Sequence, residues 1–340
     1  MSDRVLVTGI SGFLGGHLAL QLLEAGFTVR GSVRNLNKAD KVRATLARHG
    51  ADISRLDFVA LDLMSDTGWA EAMQDVRYLQ HVASPFVTAI PADKMELITP
   101  AVEGTRRALE AAFAGGVERV VLTSSMAAVM YGHDKARTAP FVASDWTNLE
   151  GRDVNAYVES KTRAEKEAWA IAERLGRARD LAVINPSAIL GPLLDDDPGT
   201  SVALVQRLLS GSMPVAPQMW FAIIDVRDVA ALLVKAMTSP EAGGRRFPAA
   251  GATHSLLQLA QMLRKDFPQA AARLPRLEAP NWFMHLYGLF DRDVRGNLGE
   301  LGVVKRSDSL DAKTLLGRPF VTPREAVRTT AQSLVEHNLV

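Results

Sequence analysis

An α/β fold built on a doubly wound parallel sheet, carrying a smaller appended region, is predicted by three features of the sequence. A short β-branched apolar run, a turn and an amphipathic helix pattern recur as one unit through the first half, as a parallel sheet with crossover helices requires. A glycine trio occupies the first strand-to-helix junction. After Pro186 the pattern loosens into clusters of Pro, Gly and Asp, and 340 residues exceed what one core usually serves.

Taken in order, the strands are expected at Val5 to Thr8, Thr28 to Val33, Asp57 to Leu61, Tyr78 to Val82, Arg119 to Thr123 and Leu181 to Asn185. Helical spacing of apolar residues runs through His17 to Glu24, Lys38 to Arg48, Pro100 to Ala114 and Val154 to Leu175, with Gly26, Gly50, Gly115 and Gly176 beyond their carboxyl ends. Phe221 to Ile224 reads as one more strand, and Val226 to Met237 as a helix returning to the first domain. The expected division is therefore 1–186 plus about 218–240 for the sheet domain, and about 187–217 plus 241–340 for a discontinuous appended, substrate-binding region.

Composition narrows the function. The formal net charge of +1 leaves no basic footprint for nucleic acid or an anionic membrane surface. With no cysteine there is no disulfide, thiol nucleophile or thiolate metal site. No stretch reaches the ~20 apolar residues of a membrane span, and the chain enters its first strand without a signal-peptide pattern, so a cytoplasmic protein is expected. The histidines are scattered without metal-ligand spacing, and no metal is expected.

The first junction reads Thr8-Gly9-Ile10-Ser11-Gly12-Phe13-Leu14-Gly15. Gly9 permits a tight turn, Gly12 lets backbone approach a pyrophosphate, Gly15 allows close helix-strand packing, and the helix start supplies amides and partial positive charge. This is the dinucleotide-binding signature of a Rossmann domain. After the second strand, where an acidic residue would hold an adenine ribose hydroxyl, the sequence has Arg34, then Lys38 and Lys41. A guanidinium can meet a 2'-phosphate bidentately with an ammonium nearby, which favours NADP(H); a solvated basic helix start is the plain alternative. Asp62 and Leu63, closing the third strand, are candidates for the adenine, though Asp62 could equally cap a helix.

Tyr157 and Lys161 stand four residues apart on one predicted helix face. A phenol near pKa 10 is a weak acid-base group at neutral pH, and an adjacent ammonium is expected to lower that value. The fifth strand ends Thr123-Ser124-Ser125, at the strand terminus where an open α/β sheet binds its ligand. The plain reading makes the serines turn residues and Tyr157 a packed aromatic.

Thr8 to Gly15, His81-Val82-Ala83-Ser84-Pro85, Pro100 to Thr105, Thr123 to Ser125, Tyr157 to Lys161, Asn185-Pro186-Ser187 and Asp225 to Ala230 together resemble the dihydroflavonol reductase-like branch of extended short-chain dehydrogenases. The branch includes cinnamoyl-CoA reductases and microbial aldehyde and ketone reductases. The resemblance implies Tyr157 as proton donor, Lys161 as its partner and ribose anchor, and Ser125, rather than Ser124, as hydrogen-bond donor to a carbonyl. It implies that Val82, Ala83 and Ser84 line the cofactor, and that Pro186, Ser187, Ala188 and Ile189 lie against the nicotinamide and its phosphate arm. Arg34 with Lys38 or Lys41 would hold the 2'-phosphate, and Ser201 matches a hydroxyl that reaches the pyrophosphate.

Met126 to Asp134 departs from the flavonoid-recognition segment of the plant enzymes, and the chain from Phe247 onward is closer to microbial carbonyl reductases. The expected activity is NADPH-dependent reduction of an aldehyde or ketone, by a monomer or homodimer. A nucleotide-sugar epimerase or dehydratase, a steroid-type dehydrogenase and a non-catalytic NADP(H) sensor are the alternatives. Asp195-Asp196-Asp197 reads as a solvated loop, and Asn281 to Tyr287 as either a pocket wall or core packing.

Overall fold

The computed structural model describes residues 3–85, 93–196, 202–290 and 292–340. Strands β1 (Arg4–Thr8), β2 (Thr28–Val33), β3 (Leu56–Ala60), β4 (Tyr78–His81), β5 (Arg119–Thr123), β6 (Leu181–Pro186) and, further along, β10 (Arg245–Ala249) form one seven-stranded sheet of order β10-β6-β5-β4-β1-β2-β3. Every pairing in it is parallel. The connecting helices are α1 (Phe13–Glu24), α2 (Ala39–Arg48), α3 (Trp69–Ala72), α4 (Met95–Ala114) and α5 (Ala156–Arg174).

Strand side chains alternate between two buried layers, as a period of two demands. Val5 and Val7 of β1 join Leu18 and Leu22 of α1 on one face, while Leu6 joins Leu109 of α4 and Ile171 of α5 on the other. Both faces are covered, so the strands read as continuous apolar runs. The six expected strands are present within a residue or two at each end, and each expected helix contains its forecast segment apart from terminal residues.

The sheet boundary differs from expectation in two places. Arg245–Ala249, assigned from sequence to the appended region, is an edge strand of the main sheet, and Phe247 is buried in its core. Pro248 hides this strand from a propensity reading, because Pro is tolerated in sheets at an edge, where the missing amide faces no partner. Conversely, β9 (Trp220–Asp225) pairs with β7 (Ala188–Leu190) and β11 (Thr253–Ser255) in a separate three-stranded sheet. The helix after it, α7 (Val226–Thr238), does return, packing Val229 and Leu233 into the main core.

The remaining elements are α6 (Val202–Ser210), β8 (Ala216–Pro217), α8 (Leu256–Asp266), β12 (Glu278–Ala279), α9 (Asn281–Tyr287), α10 (Arg292–Asn297), α11 (Leu310–Leu316) and α12 (Pro323–Glu336). Helices α6, α8 and α12 enclose a third core through Val205, Leu209, Leu259, Leu263, Val327 and Leu334. Phe13, the first residue of α1, packs against both this core and the main one, so the glycine loop lies where the two meet. The aromatic segment of α9 is not core: Trp282, Phe283 and Tyr287 are exposed, and only Met284 is buried there.

One buried contact ties the sheet domain to the segment after β7. The His17 Nε2 lies 2.8 Å from the Pro192 carbonyl, and burial lowers the imidazole pKa from 6.5 to about 4. The folded protein therefore holds this ring neutral, whereas the unfolded chain takes up a proton below pH 6.5. Stability contributed by the neutral ring is complete above pH 6.5 and declines as pH falls toward 4. By pH 5 the loss from this one group is about 2 kcal/mol. Urea unfolding at pH 7.5 and pH 5 should show that component in the wild type and lack it in His17→Gln.

Candidate active site

All seven strands of the main sheet end on the same edge, which gathers Thr8, Arg34, Asp62, Val82, Ser125 and Ser187 from six successive loops. Strand order reverses between β1 and β4, where a doubly wound sheet opens its ligand crevice.

The glycine loop sits beside that opening. Gly9 has φ +70°, a left-handed conformation that glycine adopts without cost, and a Cβ there would come within 2.9 Å of the Ala83 backbone. A Cβ on Gly15 would lie 2.1 Å from the Gly9 carbonyl, so only glycine lets α1 close onto the turn. At Gly12 the same test finds only Gly9 O, at 3.4 Å, which leaves room above the loop. Helix α1 begins at Gly12 without a side-chain cap, so its leading amides are available to an anion. Ser11 is exposed, Phe13 half-buried and Leu14 buried at this end of the helix.

Thr8 fixes the loop to β4. Its hydroxyl accepts from Val82 N and Ala83 N, both at 3.0 Å, and lies 3.0 Å from His81 Nδ1. The same hydroxyl lies 3.5 Å from the Gln80 carbonyl, to which it can donate. Burial, with a smaller push from Lys161, lowers the His81 pKa to about 3. Val82, Ala83 and Ser84 are half-buried along the same rim.

At the far end of the crevice, Arg34 and Lys38 are exposed and make no side-chain hydrogen bond or ion pair with the described residues. Lys41 differs. It donates to Asp196 at 2.7 Å and stands 3.9 Å from Asp195, so its charge is already opposed. Asp195 and Asp196 are thus more than a solvated loop; Asp197 and Ser201 lie outside the described residues. Asp62 starts no helix: one carboxylate oxygen accepts from Met64 N at 2.8 Å in an Asx turn. Leu63 is partly committed to packing, because a Cβ on Gly104 of α4 would meet its side chain at 2.7 Å. On the other side Ser187 has a buried hydroxyl without a protein partner, while Pro186 closes β6 and Ala188 and Ile189 open β7. The uncapped helix start, the space over Gly12, the free Arg34 and the orphan Ser187 hydroxyl fit an extended, anionic dinucleotide.

Ser125, Tyr157 and Lys161 come together between β5 and α5. Asn155 caps α5 by accepting from Val158 N at 3.0 Å, which aims the first turn, with Tyr157, at the strand ends. Ser125 stands close enough to the Tyr157 hydroxyl for its side chain to act on the phenol. As a whole residue Tyr157 is 43% exposed, but its hydroxyl end lies deep among protein atoms. Burial pushes the phenol above its ordinary value, and the nearby Ser125 side chain pulls it partly back. The phenol is therefore raised by burial, where the four-residue spacing to Lys161 had led to the expectation of a lowered value. Lys161 is itself brought down to about 8 by burial, with Glu165 acting in the opposite direction.

Ser124 does not compete with Ser125. It is buried, and its hydroxyl donates to Glu165 at 2.5 Å. Sequence reasoning missed Glu165, Arg246 and Thr147, which hold the site from behind. Glu165 was discoverable, since it repeats the four-residue step from Tyr157 to Lys161; Arg246 was not, because its strand was hidden by Pro248. Thr147 donates to Ala127 O at 2.7 Å and accepts from Tyr131 N at 3.1 Å, fixing the segment after Ser125. A surface cavity of about 220 Å³, lined by Met130, His133, Phe141, Asp153, Val303 and Arg306, includes none of the three catalytic candidates. Among the described residues, no helix is long and apolar enough to cross a membrane.

A glycine-led dinucleotide crevice that shares its edge with a Ser-Tyr-Lys group defines a short-chain dehydrogenase/reductase of the extended type. Residues 5–249 match the NAD dependent epimerase/dehydratase family, and the chain belongs to it. It is 30% identical to the NADPH-dependent methylglyoxal reductase of Saccharomyces cerevisiae, with 98% of each chain covered. It is 33% identical to cinnamoyl-CoA reductase 1 of Arabidopsis thaliana, over 98% of this chain and 95% of that one. The crystal structure of yeast methylglyoxal/isovaleraldehyde reductase complexed with NADPH superposes with a TM-score of 0.81 at 26% identity, covering 99% of this chain and 100% of that one. These relatives bear out the resemblance to the dihydroflavonol reductase-like branch.

The Ser125 side chain opposes the burial that raises the Tyr157 phenol, so Ser125→Ala should move its titration to still higher pH. With only four tyrosines in the chain, tyrosine ring-carbon NMR can follow this resonance directly. A titration at unchanged or lower pH would show that Ser125 does not act on the phenol.

Proposed function

We propose that the chain is an NADPH-dependent carbonyl reductase in which Tyr157 protonates the carbonyl oxygen of an aldehyde or ketone. The observation that carries this reading is the convergence of Ser125, at the end of β5, and the Tyr157 hydroxyl at the carboxyl edge of the sheet, with Lys161 one turn along α5. The neighbouring reductases, one of them solved with NADPH, support it. When bound, the cofactor supplies hydride to the carbonyl carbon. The chain does the rest. Ser125 and Tyr157 direct hydroxyls at one oxygen, polarising the C=O bond; as that bond becomes single, the phenol proton passes to the oxygen and an alcohol forms. A phenol raised above its ordinary pKa stays protonated at neutral pH, which suits a proton donor in the reductive direction. Lys161 holds a ribose hydroxyl and returns charge balance to the phenolate.

The cofactor is held by the loop from Gly9 to Gly15, by Thr8 indirectly through the Val82 and Ala83 backbone, and by Pro186 to Ile189. Arg34, with Lys38, takes the 2'-phosphate; Lys41 is the weaker candidate because Asp196 already occupies it. Asp62 and Leu63 border the adenine. The free Arg34 also separates this reading from a nucleotide-sugar epimerase, for which an acidic residue at the second strand is expected.

Arg34→Ala should weaken NADPH binding ~10- to 100-fold, as expected for a lost charge-assisted contact, with little change for NADH. Fluorescence titration with both cofactors checks this, and an equal effect on the two would remove Arg34 from the 2'-phosphate. Tyr157→Phe should lower turnover ~100- to 10,000-fold while leaving NADPH affinity near wild type. An NADPH-consumption screen over aldehydes, diketones and aryl ketones provides the substrate for that measurement.

A further inference from the structure

We infer that Glu165 is the positioning residue of the site, a buried carboxylate that locks the end of β5, the end of β6 and the catalytic helix α5 into one arrangement and supplies the counter-charge for Lys161. The inference rests on the reductase reading for its kinetic arm.

Glu165 lies one helical turn beyond Lys161 and is fully buried. Its Oε2 accepts from Ser124 Oγ at 2.5 Å and Asn185 Nδ2 at 2.7 Å; its Oε1 accepts from Arg246 Nε at 2.5 Å and Trp169 Nε1 at 3.4 Å. Four donors, one just beyond β5 and the others in β6, β10 and α5, therefore converge on one carboxylate. Asn185 Nδ2 also donates to the Ser125 carbonyl at 3.2 Å, which carries the connection to the serine that meets Tyr157. Arg246 extends it in the other direction. It donates to the carbonyls of Ala143 and Asp145, both at 2.7 Å, and of Ala128 at 3.4 Å, and its guanidinium lies 3.7 Å over the Trp146 ring. The segments on both sides of the Ser125 loop are thus referred to the same ion pair.

The arrangement is costly to desolvate, and a packed apolar pair of similar volume would serve a purely structural need at least as well. A charge here acts on what surrounds it. Lys161 has His81 facing it from β4, with Tyr157 and Glu165 on its own helix; of these only Glu165 carries a carboxyl group, and it opposes the burial that lowers the Lys161 titration. Among the described residues, Arg246 is the cation paired to Glu165.

The test uses Glu165→Gln, which keeps shape and removes charge, and Asn185→Ala, which keeps the charge and cuts the link to Ser125. In Glu165→Gln, lysine side-chain NMR should show Lys161 titrating below its wild-type midpoint, a readout that needs no turnover. The alkaline limb of the pH-rate profile should shift down with it, and kcat should fall ~10-fold or more, as displacement of a catalytic group does. In Asn185→Ala, kcat should fall with NADPH affinity retained and the alkaline limb unmoved. A folded Glu165→Gln with an unmoved Lys161 titration, or a folded Asn185→Ala with wild-type kcat, would overturn the inference. If Glu165→Gln fails to fold, the Asn185→Ala result decides it. Absence of carbonyl turnover in the wild type would instead refute the reductase reading, leaving the Lys161 titration to judge Glu165 alone.

Discussion

A parallel sheet covered on both faces has only its ends free, and that constraint organises this molecule. Every crossover here returns a strand in the same direction, so six loops must emerge along one edge whatever their sequences. Chemistry placed at strand ends is then brought together without any long-range recognition between the loops themselves. Thr8 shows the economy of this: a single hydroxyl at the end of β1 satisfies two amides at the end of β4, and the turn that follows needs a glycine because Ala83 is so close. The same edge receives α5 from the side, and a short cap at Asn155 suffices to point Tyr157 at Ser125.

Gathering groups in this way removes them from water, and the electrostatic consequences follow one sign. His81 is driven neutral, Lys161 is drawn down toward neutrality and the Tyr157 phenol is held protonated, in each case chiefly by burial. A crevice that disfavours charge in its own side chains is suited to passing a proton to a carbonyl oxygen. Glu165, buried one turn beyond Lys161, opposes the burial that draws the ammonium down. Removing one partner of a buried ion pair costs about 3–5 kcal/mol, so Arg246 cannot be separated from Glu165 without exposing the other to an unfavourable environment. The edge strand β10 is thereby tied to the catalytic helix by charge as well as by sheet pairing.

Period-two and period-3.6 patterns made the first six strands and their helices legible, since each segment buries enough apolar surface to announce its face. The glycine trio and the Ser125, Tyr157 and Lys161 set were legible because their spacing is local: each lies within one turn or one helix. What was not legible depends on contacts far apart in the chain. Arg245–Ala249 contains two arginines and a proline, and it becomes a strand because Phe247 has a place beside β6. Lys41 looked equivalent to Lys38 until Asp196, 155 residues away, proved to hold it. The direction of the Tyr157 shift was misread for the same reason, since four-residue spacing shows proximity but not burial.

Lys41 and Asp196 also bear on how the cofactor end of the crevice is built. The segment from Pro192 to Asp196 is secured by three side chains of the sheet domain: His17 at Pro192 O, His49 at 3.0 Å from Leu194 O, and Lys41 at Asp196. Leu194 and Asp195 line the recess beside Ser11, Gly12 and Phe13. The appended region therefore does more than cover a substrate; its first segment walls the phosphate loop. That leaves the two basic residues at the second strand unequal. Arg34, exposed and unpaired among the described residues, can turn its planar face to an incoming phosphate without breaking an existing contact, whereas Lys41 must first leave a carboxylate. On the proposed reading, selection for the phosphorylated cofactor would fall to Arg34 with Lys38, while Lys41 keeps the wall in place.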